Sequence, residues 1–424
     1  MFTRPSSLPW LPCILAGALA ARVAAAIAVQ QWVERTPGRL CLIEGDASGY
    51  WELAQHLIRG EDFAIYEPPR YVERMPGFPL VLAAGMKLFG ERLLWMRMLL
   101  ALAGTAACGL VYCLGRELFD SAVGLVACFL AAISPIFVVF SVLFLSETFF
   151  ALGLLASLLA LVKLLRIEAQ PSLSVASLRR MVLAVIAGFL AGGATLIRPT
   201  WILVAPILAI VYLFAPGDRK GRIVPAALLL GSFCLTLAPW TIRNYRVTGH
   251  FVATTLWVGP SLYDGLSTEA TGASDMRFVE NDGRYAQRGM SEYENDRHYR
   301  HRAAEFVRAH PWRAVELAAV KQWRFWNPVP NAEQFGHWAI CLGVGLFEAP
   351  VLLLAALGFW QTRGSRGRWL AAAGPVLYFA VVHTVFVGSL RYRLPPEYPL
   401  LVLTAVGLRW LWHKRPPRAR AVTP

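Results

Sequence analysis

The sequence predicts an all-α polytopic membrane protein of about ten transmembrane helices. Of its 424 residues, 56% are hydrophobic and only 16% are charged, whereas roughly 25% of residues are charged in soluble proteins. Apolar runs of about twenty residues recur from one end of the chain to the other, and each could cross a hydrocarbon core of about 30 Å as a helix. These two observations exclude a water-soluble domain, a disordered chain and a coiled coil.

The apolar runs define the predicted spans. They cover residues 8–30, 91–115, 121–140, 145–165, 181–198, 200–215, 223–240, 336–360, 369–388 and 399–412. The first run is longer than the apolar core of a signal peptide, which has about 7–15 residues. We therefore expect it to be a retained helix.

Basic residues give the predicted orientation. When the chain passes alternately through the spans, clusters of Lys and Arg fall in short loops or at termini on one side. These clusters are Arg4; Arg116; Lys163, Arg166, Arg179 and Arg180; Arg219, Lys220 and Arg222; Arg363, Arg366 and Arg368; and Lys414, Arg415, Arg418 and Arg420. The positive-inside rule assigns that side to the cytoplasm. Both termini are therefore predicted to be cytoplasmic, in a multi-pass protein of the cell (inner) membrane.

The spans and the outer loops divide the chain into three predicted regions. Residues 1–240 form an N-terminal transmembrane module with a long first outer loop, 31–90. Residues 241–335 form a small outer segment between the seventh and eighth spans, and residues 336–424 form the last transmembrane helices with a basic cytoplasmic tail. We expect the function to reside in the two outer segments.

Both outer segments contain predicted helices. Apolar residues recur at helical spacing over 46–59, and Gly60 is a natural end for that helix. It is too short and too polar to cross, so it is predicted to lie along the membrane surface. Residues 80–89 are interpreted as a packed or re-entrant helix. Further helices are expected from about 291 to 309 and again from Pro311, the last with an aromatic face on the membrane interface.

Acidic residues near the outer helix ends are candidates for catalysis. Asp46 begins the first outer helix, where it either only accepts the free N–H groups of the first turn or also acts as a catalyst. Glu147 is flanked by phenylalanine and leucine side chains, and an ionisable group in such surroundings predicts a functional site. The alternative for Glu147 is an acid that reaches the headgroups. Glu348, inside an apolar run, is expected to form a structural pair with Arg22 or His383.

Arginines near outer helix ends form the second set of candidates. They are Arg74, Arg198, Arg243, Arg391 and Arg393. The positive-inside rule disfavours arginine on this side, and planar guanidinium groups bind phosphate oxygens bidentately, so their clustering suits a phosphate at headgroup depth. For any single arginine, snorkelling to the interface is the alternative. Arg391 and Arg393 lie two apart in a predicted extended turn, so their side chains should point to the same side and share one phosphate.

Other chemistries have little support in the sequence. There is no Cys-x-x-Cys pair, and His298 and His301 form only a bare i, i+3 pair without a third fixed ligand. We therefore assign no metal site, while a divalent-metal requirement stays open. The formal net charge of +14 gathers in the predicted cytoplasmic loops rather than on one face of a soluble domain, so no nucleic-acid partner is predicted.

Short motifs occur in a distinctive order along the chain. They are Gly45-Asp46-Ala47-Ser48-Gly49-Tyr50, Arg74-Met75-Pro76-Gly77-Phe78-Pro79, Leu145-Ser146-Glu147, Arg198-Pro199, Pro239-Trp240-Thr241-Ile242-Arg243-Asn244 and Arg391-Tyr392-Arg393-Leu394-Pro395. Together they resemble the membrane glycosyltransferases of the C superfamily, specifically the glycosyltransferase family 39 type. Dolichyl-phosphate-mannose protein mannosyltransferases and lipid A aminoarabinose transferases are related to that type.

The resemblance implies roles for the candidate residues. The family's acid of the first outer loop is taken as the catalytic base, a position that Asp46 matches, and Glu147 is assigned to catalysis with it. Tyr50 and the five arginines are assigned to substrate binding. The protein mannosyltransferases typically carry an Asp-Glu pair where this chain has Asp46-Ala47, with Glu44 two residues earlier. The chain is also short for the family, without the large C-terminal outer domain of the aminoarabinose transferases, so neither acceptor is carried over.

The resemblance also implies an activity. It is the inverting transfer of a hexose or pentose from a polyprenyl-phosphate donor in the bilayer to the hydroxyl of a glycan, lipid or protein acceptor at the outer face. The main alternative is a flippase or transporter of lipid-linked sugars. A transporter would need polar or charged residues along a path through the membrane midplane, whereas the candidate acids and arginines here gather near the outer ends of the helices.

Overall fold

The computed structural model describes residues 10–39, 41–43, 45–168, 175–214, 219–281, 289–331 and 335–414. These residues form α-helices, two short 3₁₀ turns and an isolated β-bridge between Ile65 and Arg70. The predicted all-α class is therefore confirmed. Arg4, Glu44 and the tail from 415 onward lie outside the described residues.

The described residues contain seventeen α-helices. In chain order they are α1 (Trp10–Glu34), α2 (Asp46–Arg59), α3 (Gly77–Phe89), α4 (Leu93–Leu118), α5 (Ser121–Ile133), α6 (Pro135–Phe140), α7 (Glu147–Glu168), α8 (Val175–Ile197), α9 (Val204–Leu213), α10 (Ile223–Thr248), α11 (Val258–Gly265), α12 (Arg277–Asn281), α13 (Glu292–Ala309), α14 (Pro311–Trp326), α15 (Trp338–Thr362), α16 (Arg366–Val385) and α17 (Leu390–Lys414).

Within the described residues, seven helices are long and apolar enough to cross a membrane. They are α1, α4, α7, α8, α10, α15 and α16, and each overlaps one predicted span. The chain is thus an integral, multi-pass membrane protein. The predicted outer helices are also present, since α2, α3, α13 and α14 occupy the expected positions.

The remaining predicted spans differ from the structure. The span 200–215 is a 3₁₀ turn at Pro199–Trp201 followed by the ten-residue α9, which at about 15 Å is too short to cross by itself. The span 399–412 lies within α17, which already begins at Leu390. Its three prolines, Pro395, Pro396 and Pro399, lie inside the helix, although a proline has no N–H to donate to the helical hydrogen bonds. The segment around Arg391 is therefore helical and not an extended turn.

The predicted span 121–140 is broken at Ser134-Pro135. Proline has no N–H to continue α5, so α5 ends at Ile133 and Pro135 opens α6 in the favoured first-turn position. The Ser134 hydroxyl accepts a hydrogen bond from the Phe137 N–H at 3.4 Å. This break leaves the last carbonyls of α5 without helical partners among apolar side chains.

Arg22 of α1 supplies donors to those carbonyls. Its guanidinium donates to the Ala131 carbonyl at 3.2 Å and to the Ala132 carbonyl at 3.4 Å, and the side chain is completely buried. Arg97 of α4 does the same beyond α6, where it donates to the Val142 carbonyl at 3.0 Å. Irregular backbone at membrane depth is tolerated only where protein groups satisfy it. The two arginines therefore make the helix breaks compatible with the bundle.

Glycines allow α15 and α17 to pack in direct backbone contact. A Cβ on Gly358 would lie 2.0 Å from the Leu403 carbonyl oxygen, and one on Gly407 would lie 2.1 Å from the Leu354 carbonyl oxygen. Small residues permit such close approach between helices in a membrane. The last helix is thereby held against α15 along its length.

The two predicted outer segments meet at one end of the bundle, which we call the outer end. The Arg243 guanidinium on α10 donates to the carbonyls of Phe63 and Tyr71 at 3.0 and 2.7 Å. The Glu292 carboxylate, at the start of α13, accepts hydrogen bonds from the backbone N–H groups of Tyr71 and Val72. The first contact attaches α10 to the first outer loop, and the second attaches the start of α13 to the same loop.

Replacement of Arg22 tests its role at the helix break. We expect Arg22→Met to lower the free energy of unfolding by about 2 kcal/mol or more, because each carbonyl left without a donor costs about 1–3 kcal/mol. The measurement is thermal unfolding of the purified protein in detergent. Arg246→Met, on the exposed end of α10, is the matched control and should unfold near the temperature of the native chain. Equal unfolding temperatures for both variants would contradict the assignment.

Cysteine labelling tests the orientation of the outer end. A cysteine at Arg219 and one at His301 should react with an impermeant thiol reagent only from opposite sides of the membrane, the first from the cytoplasm. Cys13 and Cys234 are exposed in the native chain, so the native chain is labelled in parallel as the background. Labelling of both positions from the same side would overturn the predicted topology.

Candidate active site

Residues from five separated parts of the chain converge at the outer end. The Arg391 guanidinium lies between two carboxylates, with Nη2 2.9 Å from Asp46 Oδ2 and Nε 2.5 Å from Glu147 Oε1. Arg74 Nη1 lies 2.9 Å from Asp46 Oδ1, and Arg198 Nη1 lies 2.8 Å from Glu147 Oε1. We call these five residues the Arg391 cluster. Sequence reasoning had selected each of them.

Helix ends position the cluster. Asp46 is the first residue of α2, Glu147 is the first residue of α7, and Arg391 is the second residue of α17. Arg198 directly follows the last residue of α8. Gly45, which precedes Asp46, has a φ of +78°, a conformation that favours glycine. Three helix N-termini thus meet here, and their positive dipole ends favour carboxylates or a bound anion.

Asp46 lies at the open side of the cluster. Its side chain is 37% exposed, and its two carboxylate oxygens lie 2.9 Å from Arg74 Nη1 and 2.9 Å from Arg391 Nη2. The catalytic role of Asp46 stays a prediction. Burial acts to raise the pKa of Asp46, but the guanidinium groups of Arg391 and Arg74 outweigh it and hold that pKa well below its ordinary range.

Glu147 lies on the buried side of the same cluster. Its side chain is 2% exposed and is surrounded by buried apolar residues such as Phe144 and Phe150. Its Oε1 atom contacts both Arg198 and Arg391, while its Oε2 atom is buried without a hydrogen-bond partner. Glu147 therefore does not simply reach the headgroups. It holds two guanidinium groups side by side from the protein interior.

Aromatic rings support the arginines. The Arg74 guanidinium lies 5.0 Å from the centre of the Tyr50 ring, which places Tyr50 beside the cluster as predicted. The Arg198 guanidinium lies 5.7 Å from the centre of the Tyr392 ring, and that ring stacks on His383 at 4.4 Å. Neither Tyr392 nor His383 had been selected from the sequence as a site residue. The available signal was the position of Tyr392 directly after Arg391.

Arg393 does not join the cluster, so its predicted role in phosphate binding is wrong. The segment is helical, and residues two apart in a helix point about 200° apart around the axis. Arg393 is completely buried, 3.1 Å from a Glu348 carboxylate oxygen and 2.7 Å from a Glu397 carboxylate oxygen. It also donates to the Phe325 carbonyl at 2.8 Å. The expectation that Glu348 pairs with Arg22 or His383 is also wrong, because Glu348 pairs with Arg393.

Arg243 is also absent from the cluster. Its guanidinium donates to loop carbonyls, as described above, and lies 4.9 Å from the centre of the Trp240 ring. Through these contacts Arg243 joins α10 to the first outer loop. Its assignment to substrate binding is therefore corrected to a structural one. Sequence position near an outer helix end cannot distinguish these two uses of an arginine.

Among the described residues, no group of three or more His, Cys, Asp or Glu side chains could hold a metal ion. His301 pairs with Glu305 at 3.3 Å, and His298 stacks near Tyr299. The two histidines are therefore used within α13.

The resemblance predicted from the motifs is confirmed by comparison with known proteins. Residues 73–242 match the dolichyl-phosphate-mannose-protein mannosyltransferase family, and this segment contains Arg74, Glu147 and Arg198. No curated protein matches the chain.

Solved structures show the same fold. The archaeal oligosaccharyltransferase AglB from Archaeoglobus fulgidus, in complex with an inhibitory peptide and a dolichol-phosphate, matches with a TM-score of 0.63 at 18% identity. That match covers 97% of this chain and 51% of the other. The Archaeoglobus fulgidus oligosaccharyltransferase in complex with Zn and sulfate matches with a TM-score of 0.60 at 18% identity, over 95% of this chain and 49% of the other. The chain thus spans about half the length of these proteins.

Stability should distinguish the two arginines of the last motif. We expect Arg393→Gln to lower the free energy of unfolding by about 3–5 kcal/mol, since removal of one partner from a buried ionic group leaves an uncompensated charge. Arg391→Gln should cost much less, because Glu147 keeps Arg198 and Asp46 keeps Arg74. The unfolding temperatures of the two variants in one detergent provide the comparison. A larger loss for Arg391→Gln would reverse the assignment.

Proposed function

We propose that this protein is a glycosyltransferase that moves one sugar from a polyprenyl phosphate to an acceptor hydroxyl at the outer face of the membrane, with inversion at C1. The observation that carries the proposal is the Arg391 cluster, in which an open carboxylate and three guanidinium groups meet at the outer end. The match of residues 73–242 to the mannosyltransferase family supports it, as does the fold shared with a protein solved with dolichol-phosphate.

Asp46 is the proposed general base. It is the more exposed of the two cluster carboxylates, so it can reach an acceptor hydroxyl. The acceptor O–H bond breaks and its proton passes to Asp46 as the oxygen forms a bond to C1 of the sugar. The bond between C1 and the phosphate oxygen breaks, and its electron pair stays on the phosphate. General-base assistance of this kind contributes about 10²–10⁴ in rate.

The arginines are the proposed site for the donor phosphate. Three guanidinium groups and two carboxylates in the cluster leave one positive charge. A sugar linked to a polyprenyl phosphate is a phosphodiester with one negative charge, which this balance matches. When C1 departs, the phosphate gains a second negative charge, and donors already in place stabilise that charge in the transition state. Arg198 and Arg391 are the proposed donors, with Arg74 orienting the base.

The unequal exposure of the two acids supports the proposed inversion. A retaining double displacement needs a carboxylate that attacks C1, whereas Glu147 is buried below the arginines and occupied by them. Asp46 is then left for proton removal, and a single displacement inverts the configuration. Glu147 is accordingly proposed to position the arginines rather than to react.

Cells with and without the gene provide the first test of the proposal. We expect mass spectrometry of surface glycans and glycolipids to show the loss of one monosaccharide when the gene is deleted. Asp62→Asn, an exposed acid in the same outer loop, should restore that sugar, while Asp46→Asn should not, because an amide cannot accept the proton. Restoration by Asp46→Asn would remove Asp46 from the mechanism.

The purified enzyme in nanodiscs then tests the phosphate site with the polyprenyl-phosphate sugar so identified. Arg391→Ala should lower kcat by about 10²–10³, the typical effect of losing one such donor. Arg391→Lys should be intermediate, because lysine keeps the charge but loses the planar fork. The measured product is free polyprenyl phosphate. A flippase would move the intact lipid-linked sugar across the bilayer and would produce no free polyprenyl phosphate. Unchanged kcat and KM in Arg391→Lys would place the phosphate elsewhere.

A further inference from the structure

We propose that Asp46 and the donor phosphate compete for Arg391, so that the base becomes free to accept a proton only when the donor is bound. This inference rests on the proposed function and assigns a regulation to the same site.

Both oxygens of Asp46 are occupied in the structure. Oδ1 lies 2.9 Å from Arg74 Nη1, and Oδ2 lies 2.9 Å from Arg391 Nη2. A carboxylate held by two guanidinium groups is a poor proton acceptor, because protonation would break both charge-assisted hydrogen bonds. In this structure, therefore, the proposed base Asp46 is paired with Arg391, which is also a proposed donor to the phosphate.

The two acids on Arg391 differ in how easily a ligand can displace them. Glu147 is 2% exposed and also holds Arg198, so its pairing with Arg391 Nε lies inside the protein. Asp46 is 37% exposed, and Arg391 itself is 25% exposed. A phosphate arriving from the open side meets the Nη2 edge that Asp46 occupies and leaves the Nε edge on Glu147. Asp46 is thus the partner that is exchanged.

Displacement from Arg391 does not release Asp46 entirely. Arg74 remains on its other oxygen, and the Arg74 guanidinium is supported by the Tyr50 ring and by Glu73 at 3.8 Å. A phosphate with one negative charge close to Asp46 also raises the proton affinity of the carboxylate by like-charge repulsion. Asp46 therefore stays oriented while it becomes a stronger base. Donor binding would precede productive acceptor binding.

Competition predicts opposite effects for the two acids on phosphate binding. The probe is undecaprenyl methyl phosphate, a phosphodiester with a single negative charge and no sugar, titrated against the full chain in nanodiscs by native mass spectrometry. Asp46→Asn should bind this probe about three- to tenfold more tightly than the native chain, because the competing charge is lost. Glu147→Gln should bind it more weakly, because the arginines lose their internal support. Asp62→Asn is the control and should bind as the native chain does.

The outcomes separate this inference from the proposed function. If Asp46→Asn binds the probe as tightly as the native chain does, or more weakly, the proposed competition is wrong, but a polyprenyl-phosphate donor is still supported by the binding of the probe. If neither the native chain nor Asp46→Asn binds the probe, the donor class itself is wrong and the competition falls with it. Asp46→Ala is measured as a second variant with the same expected sign, and unfolding temperatures confirm that each variant is folded.

Discussion

The pairing of one guanidinium group with two carboxylates organises the outer end of this protein. Arg391 on α17 joins Asp46 on α2 and Glu147 on α7. In the chain, Asp46 and Glu147 are 101 residues apart, and Glu147 and Arg391 are 244 residues apart. A charge near the apolar part of a bilayer is costly unless it is paired. The first outer loop, the start of α7 and the start of the last helix are therefore held together by the requirement to neutralise their charges.

The same constraint accounts for the arginines inside the bundle. Arg22 and Arg97 donate to carbonyls that broken helices leave free, and Arg393 links α17 to Glu348 on α15. A guanidinium group carries several donors in a fixed plane, so it can satisfy two or more acceptors that no single N–H could reach. These contacts allow irregular backbone and short helices at a depth where water is absent.

Exposure separates the roles of the two acids. Asp46 and Glu147 share Arg391, yet one faces the open side and the other lies below it. A group that exchanges protons with a substrate must be reachable, whereas a group that fixes the arginines is more effective when its surroundings are rigid and dry. Three helix N-termini at the same place add a positive potential. The cluster is therefore suited to an anionic ligand whose charge increases during reaction.

Local pattern in the sequence was sufficient for much of the architecture. Hydropathy and helical spacing depend only on neighbouring residues, so they determined the all-α membrane class, the helix from Asp46 to Arg59 with its end at Gly60, and the positions of Asp46 and Glu147 at helix starts. The effect of proline on the helices was not predicted correctly. Pro135 broke a predicted span, while the prolines after Arg393 did not break α17.

The tertiary structure alone decided which arginine meets which acceptor. Arg391, Arg393 and Arg243 looked equivalent in sequence because each is an arginine near an outer helix end. The rotation of α17 turns Arg391 toward Asp46 and Arg393 toward Glu348, and the fold of the first loop brings carbonyls to Arg243. Such partners lie on distant segments, and a local pattern carries no information about the direction in which a helix presents each side chain to its neighbours.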